Sequence, residues 1–391
     1  MREQDKKIIV SVGTLLRDIG FKCGTVASAG LWDRVHGRKL DFSAPAGYEV
    51  INGGKQVVVD FSMAKDGEIA GLGRQTFDLL GGMTSTPGGG ASNTIAGMRR
   101  LTWYRRDDLR CQLVAKIGAR DGVPDEDGQA LLRCLDEAGV ERDLIQYDES
   151  ASTGRSLVLS IERDGMRDVT YLVYRGAAVL NPEALPALGE NVVGGLVANN
   201  SDPVSTLKSV RWLAGGGRRM VYISSKIDMA KLRDGDLSLL DGLENVVMTC
   251  NTAEFAMLGG DKALEAQVIS RFTHAVITDS TAGLDVYRGP GKCRKHYDMA
   301  PDRPVSEVPA DRINPNGAGD SMSGSLAVDW VLHGEFSERS LGQALCVAAS
   351  ICTRHSTTGG LPRFGQPGDA ERFVHEWHGE APFDFAAWGI E

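Results

Sequence analysis

Short apolar runs alternate with amphipathic stretches along most of this chain. Lys7-Ile8-Ile9-Val10-Ser11-Val12 is mostly β-branched and halts at Gly13, which predicts a buried first strand. Residues 112–117 repeat that pattern, and 127–138 carry apolar positions at helical spacing up to Gly139. Two further runs, 156–161 and 169–173, predict a hairpin turning around Asp164-Gly165. From about residue 190, strand-like runs at 220–223, 245–249 and 275–278 each lead into a helical or turn segment. Long helices are predicted at 91–101, 321–332 and 341–353.

Strands alternating with helices predict a mostly parallel sheet covered on both faces, a doubly wound α/β fold. Residues 22–80 break that rhythm. Their short alternating pieces, such as Gln56-Val57-Val58-Val59-Asp60-Phe61, lie between Gly-Gly and Lys-Asp-Gly turns and predict a smaller β-containing lid. The expected organisation is a body of residues 1–21 and 81–364, a lid of 22–80 with 156–173, and an extension, 365–391. That extension carries Phe373, Trp377, Phe383 and Trp388 and is expected to pack on the body, where ordinary packing explains them.

Composition narrows the partners. The chain has 391 residues and a formal charge of −9, with no long Lys/Arg run, which argues against a nucleic-acid polymer as partner. Its seven cysteines are scattered without a C-x-x-C pair, so a structural zinc site has no support and a reducing compartment is expected. No apolar run is long enough for a membrane span or a secretory signal, so the expected location is cytoplasmic. Glycine is abundant, 48 residues, and gathers at element junctions, where backbone turns sharply or approaches a ligand.

The most informative junction is Asn314-Pro315-Asn316-Gly317-Ala318-Gly319-Asp320, which opens a predicted helix. Small residues there let backbone N–H groups converge, and a helix N-terminus adds positive potential, as a transferring phosphoryl group requires. Asp320, in the first turn, is placed to take the proton of an attacking hydroxyl; a plain N-capping Asp is the structural alternative. Competing chemistries lack their signatures: there is no G-x-x-x-x-G-K-[ST], no convincing dinucleotide G-x-G-x-x-G and no H-E-x-x-H.

Gly317-Ala318-Gly319-Asp320 resembles the G-A-G-D signature of the ribokinase (PfkB) family of sugar and nucleoside kinases, and other elements follow in that family's order. Gly13 through Asp18 is similar to its strand-end G-x-x-x-x-D, and Gly88-Gly89-Gly90-Ala91-Ser92-Asn93-Thr94-Ile95-Ala96 to its G-G-x-x-x-N-x-A. Lys116-Ile117-Gly118, Asp121 and Asp127-Gly128 echo its G-x-D-x-x-G stretch. Asn251-Thr252-Ala253-Glu254 matches N-x-x-E, and Thr278 through Gly283 resembles T-x-G-x-x-G.

The resemblance implies a ribokinase-like fold, ATP and Mg²⁺ as cofactors, and a role for each matched position. Asp320 is the implied general base, with Gly317, Ala318 and Gly319 as the anion hole. Asp18, Gly89, Gly90, Asn93 and Arg175 are implied to hold the acceptor. Asn251, Thr278, Ser280, Gly283, Asn316, Gly317 and Gly319 are implied on the nucleotide side, with Glu254 and Asn251 organising Mg²⁺ largely through waters. Structural alternatives stand beside these roles: helix capping for Asn93, Asn251 and Glu254, a turn for Asp18, and an ordinary surface position for Arg175.

The sequence also departs from the family. Asn314 stands where an Asp helps support a monovalent-cation site, which weighs against K⁺ dependence. Ser280 replaces the first glycine of T-x-G-x-x-G, the usual D-x-N reads Ser224-Ser225-Lys226, and the lid region is enlarged. For the acceptor, the N-x-N-G-A-G-D form and Arg354-His355-Ser356 through Gly360-Leu361-Pro362 resemble the inosine-guanosine kinase branch, implying 5′-phosphorylation of a nucleoside. Tyr174-Arg175-Gly176-Ala177-Ala178 is similar instead to sugar-acid kinases, the second expectation. A catalytically silent kinase fold used for binding or as a scaffold is the reading from another class. The lid can also supply a homodimer contact, as family lids do.

Overall fold

The computed structural model describes residues 6–22, 49–53, 56–60, 83–163, 166–198, 203–234, 237–288, 293–297, 317–352, 361, 363–370 and 372–373. The chain starts with β1 (Lys7–Gly13) and β2 (Leu16–Lys22), then β3 (Glu49–Gly53) and β4 (Gln56–Asp60). After β5 (Met83–Gly88) come α1 (Gly90–Leu101), β6 (Leu109–Arg120), β7 (Val123–Pro124) and α2 (Glu126–Ala138). A short β8 (Ile145–Asp148) precedes the hairpin β9 (Arg155–Arg163) and β10 (Met166–Tyr174). The second half alternates: β11 (Val192–Ala198), α3 (Pro203–Ala214), β12 (Arg219–Ile223), α4 (Lys226–Asp234), β13 (Val246–Asn251), α5 (Lys262–Ser270) and β14 (His274–Thr278). Strands β15 (Leu284–Arg288) and β16 (Cys293–Tyr297) and helices α6 (Ala318–His333) and α7 (Glu338–Cys352) complete it.

The larger sheet runs β16-β15-β14-β13-β12-β11-β1-β6-β7, with β8 beside β6. The run from β6 through β1 and β11 to β14 is parallel, and antiparallel β15 and β16 close one edge. Alternation along each strand sends side chains to opposite faces. Ile9, Leu113, Leu196 and Val247 pack with Ile95, Leu131, Leu326 and Leu345 on one side. Val10, Val197, Tyr222 and Met248 pack with Leu207, Leu232 and Val268 on the other. The sheet is thus covered by α1, α2, α6 and α7 on one face and by α3, α4 and α5 on the other. This is the doubly wound, mostly parallel α/β architecture expected from the strand–helix rhythm. The order reverses at β1, between β6 and β11, where open α/β sheets place ligands beyond the strands' carboxyl ends.

A second, six-stranded sheet runs β3-β4-β10-β9-β2-β5. It reaches beyond 22–80 and 156–173: β2 starts at Leu16 and β5 ends at Gly88, both on the body side of the expected boundary. The reason is pairing. β2 has β9 in parallel on one edge and β5 antiparallel on the other, so the chain enters this sheet directly after β1. Asp18 consequently lies within a strand, not in a turn. The central strand β11 was not anticipated, because Gly194-Gly195 interrupts its apolar run. Among the described residues the cysteines are all free, and no helix is long and apolar enough to cross a membrane.

Candidate active site

The carboxyl end of β1 leads into β2, and two glycines bring α1 against it. Gly89 caps α1 with φ 95, and a Cβ there would lie 2.3 Å from the Thr14 carbonyl oxygen. A Cβ on Gly88 would lie 2.1 Å from the carboxyl carbon of Asp18, so only glycine leaves room for that side chain. Hydroxyls then fix the start of the helix. Ser11 Oγ donates to the Ala91 carbonyl at 3.0 Å, Ser92 Oγ to Gly88 at 2.8 Å and Thr94 Oγ1 to Gly90 at 2.6 Å. Asn93, 6% exposed, is held facing α6.

Helix α6 begins at Gly317, which is left-handed with φ 79 and offers no side-chain cap to the first turn. Among the described residues a Cβ on Gly319 would meet nothing within 4 Å, so the first turn of the helix is open on that side. First-turn N–H groups without a side-chain cap are the kind of donors that an anion can occupy. The helix is seated by Thr249 Oγ1 and Ser323 Oγ, 2.8 Å apart, and by Gly324, whose absent Cβ lets it approach the Thr94 carbonyl on α1. This close crossing brings Asn93 Nδ2 to donate to Asp320 Oδ2 at 3.3 Å.

Carboxyls crowd here. Burial raises Asp320 to about 6, and Asn93 opposes the rise by hydrogen bonding to the ionised form. Burial and then the Asp320 charge raise Asp18 to about 7, while Ser156 lowers it. Asp18 and Ser156 are paired residues in the β2–β9 register, so the second sheet itself supplies this partner. Asp320 is therefore a carboxylate poised near neutrality, suited to accepting a hydroxyl proton and returning it to solvent.

The N-x-x-E residues follow β13. Glu254 N donates to Asn251 Oδ1 and Asn251 N donates to Glu254 Oε2, both at 2.8 Å, a reciprocal capping box. The structural alternative for this motif is thus present in the geometry. It leaves the second Glu254 oxygen able to accept as well. Burial raises Glu254 to about 7, with the Asp320 and Asp228 charges adding to the rise and Lys226 opposing it.

Thr278 ends β14 directly beside Asn251, and its Oγ1 donates to the Cys250 carbonyl at 3.3 Å. Ser280 has φ 47, a non-glycine residue in the left-handed region at the position where the family motif carries glycine. Gly283 closes that turn with Asp279 N donating to its carbonyl at 2.8 Å. Arg175 lies at the root of the second sheet, one residue past β10, and is not among the groups that most affect Asp18 or Asp320. Asn314 and Asn316 lie outside the described residues, as does most of the 354–362 segment.

The oxygen donors Asn251, Glu254 and Asp320 suit a hard cation such as Mg²⁺, which keeps several waters and leans on substrate phosphates. Among the described residues no three His, Cys, Asp or Glu side chains converge as a direct metal-ligand set. Three further contributors are not among the site residues that the resemblance implies. Ser156 is the register partner of Asp18 on β9, and Gly88 on β5 leaves the space that the Asp18 carboxyl fills. Asp279 ties the β14 turn to the N-x-x-E helix, accepting from Thr252 Oγ1 at 3.1 Å.

Residues 57–363 match the family model described as pfkB family carbohydrate kinase. Among solved structures, the chain is similar to the adenosine kinase from Sinorhizobium meliloti (18% identity, 94% of this chain and 99% of that one, TM-score 0.65). It is likewise similar to the ribokinase from Cryptococcus neoformans var. grubii serotype A in complex with ADP (17% identity, 94% and 99%, TM-score 0.59). The nucleoside kinase from Methanocaldococcus jannaschii, an archaeal member of the ribokinase family, aligns over 95% of this chain and 99% of its own (14% identity, TM-score 0.59). The strand order, the glycine-opened α6 and the match over most of the chain agree: this protein belongs to the pfkB family of carbohydrate kinases and is an ATP-dependent phosphotransferase.

Proposed function

We propose that this kinase phosphorylates the 5′-hydroxyl of a nucleoside, with Asp320 as general base. The observation that carries the reading is the pairing of Asp320 with Asn93 beside Asp18, at the mouth of an uncapped α6 N-terminus. Asp18 and Asn93 offer a carboxylate and an amide to adjacent ribose hydroxyls. Asp320 takes the 5′-hydroxyl proton as the oxygen bonds to the γ-phosphorus, and the bond to the bridging oxygen breaks to release ADP. The N–H groups from Gly317 to Gly319 meet the charge on the transferring group. Mg²⁺, when bound, neutralises phosphate charge, with Glu254 and Asn251 the residues that would hold it through waters.

The nucleoside choice is supported by the N-x-N-G-A-G-D form and the His355-Ser356 through Leu361-Pro362 segment. A sugar or sugar-acid acceptor is the second reading, favoured by Arg175 at the root of the sheet that carries Asp18 and Ser156. The test is ADP release with Mg-ATP across inosine, guanosine, adenosine, cytidine, ribose, fructose and 2-keto-3-deoxygluconate. Turnover with one or more nucleosides and a product phosphate ester on the 5′-oxygen is expected. Turnover with sugars alone would replace nucleoside by sugar and leave the Asp320 chemistry in place.

A further inference from the structure

One buried charge beside this site has no role in the scheme above. Lys226, the first residue of α4, is only 5% exposed. A buried ammonium is costly unless an anion meets it. Burial lowers its pKa, and the Glu254 charge raises it again. The surrounding elements present mainly acids: Glu254 from the short helix after β13, Asp228 from α4 itself and Asp320 from α6. Asp228 is committed to the turn before α4, accepting from Ser225 N at 2.8 Å and Ser225 Oγ at 3.0 Å. Tyr222 and Cys250 beside this corner are held neutral by burial. Lys226 is thus the cation that acts on Glu254 at the carboxyl ends of β12 and β13.

The sequence at this corner is unusual in the same direction. A D-x-N there places a carboxylate and an amide; Ser224-Ser225-Lys226 removes one negative charge and adds a positive one. Helix α4, which Lys226 opens, packs on the short 252–255 helix that carries Glu254, so both residues belong to neighbouring elements at the carboxyl ends of β12 and β13.

We propose that Lys226 is a ligand of the nucleotide's phosphates, pairing with Glu254 in the empty cleft and donating to β- and γ-phosphate oxygens when Mg-ATP enters. The inference rests on the kinase reading and adds a residue to it. A point charge on a flexible stem suits such an exchange of partners. Because Glu254 is also the carboxylate placed to organise Mg²⁺, the exchange would free it as the metal arrives.

Calorimetric titration of adenosine, AMP, ADP and ATP, each with Mg²⁺, into the wild type, Lys226→Met and Lys226→Arg tests this. Lys226→Met should weaken ATP binding by about tenfold, the scale of one charge-assisted hydrogen bond, and ADP binding by less. Adenosine and AMP should bind unchanged, and Lys226→Arg should recover ATP affinity to within about threefold of wild type. A thermal melt of each variant accompanies the titrations. If the methionine variant does not fold, Lys226→Gln against Lys226→Arg decides by the same ATP-to-AMP ratio. Equal ATP affinity in the wild type and the neutral variant overturns the inference, as does an equal loss for all four ligands, which marks a structural role. Failure of the wild type to bind any adenine nucleotide overturns the kinase reading itself and this inference with it.

Discussion

Asn93 and Asp320 stand 227 residues apart in sequence, and the amide of one donates to the carboxylate of the other at 3.3 Å. That contact joins the start of α1 to the start of α6, two helices that pack against each other on one face of the sheet. The hydrogen bond favours the ionised form of a group that burial pushes the other way. Removing the amide by Asn93→Ala should raise Asp320 above about 6. The acidic limb of the kcat–pH profile should move to higher pH, by roughly half a unit to one unit. An unmoved limb would show that the bond does not govern the base.

Gly88 gives a steric prediction. Its absent Cβ is where the Asp18 carboxyl lies, so Gly88→Ala must displace that side chain. The acceptor KM should rise roughly tenfold, about 1.4 kcal/mol, while ATP affinity, measured separately, stays as in the wild type. A loss confined to ATP would place Asp18 on the wrong side of the cleft.

Stability should carry the imprint of the raised carboxyls. Asp18 at about 7 holds its proton when folded where an ordinary Asp, near 3.8, has lost it. The folded state binds more protons between those values, so this contribution is full below the lower one and lost as pH rises through the upper one. Asp18→Asn removes the titration. The variant's melting temperature relative to wild type should therefore rise between about pH 5 and about pH 8. A constant difference would mean that Asp18 titrates normally.

A buried carboxylate helps fasten the second sheet to the body. Asp127 on α2 is 4% exposed and accepts from Arg17 on β2 and Arg155 on β9. Both arginines keep partial contact with solvent, which tempers the value of the pair. Asp127→Asn should cost about 1–3 kcal/mol in chemical denaturation. A change well below that would show that the strand pairing alone holds the sheet in place.

What the sequence made legible follows physical lines. β1, β6, β12, β13 and β14 each carry a short, mostly apolar stretch, as strands buried on both faces do, and they read directly. β11 did not, because Gly194-Gly195 interrupts the run. β2 was hidden because Arg17 and Asp18 are polar, and their reasons lie elsewhere in the chain: Arg17 answers Asp127, and Asp18 answers Ser156 and Gly88. Asp320, Asn93 and Glu254 were legible because each sits in a short motif at a helix start. Ser156 and Lys226 were not read as site residues: one depends on strand register across 138 positions of chain, and the other looks like any surface lysine until its burial is seen.

In the proposed mechanism Asp320 takes the acceptor's proton. Single-turnover measurement of ADP and phosphorylated product by wild type and Asp320→Asn, with Mg-ATP binding measured in parallel, tests it most directly. The chemical rate should fall by at least about 10²-fold with ATP affinity little changed. A variant that transfers phosphate within about threefold of the wild-type rate across the pH range would contradict it, and the proton would have to leave by another route.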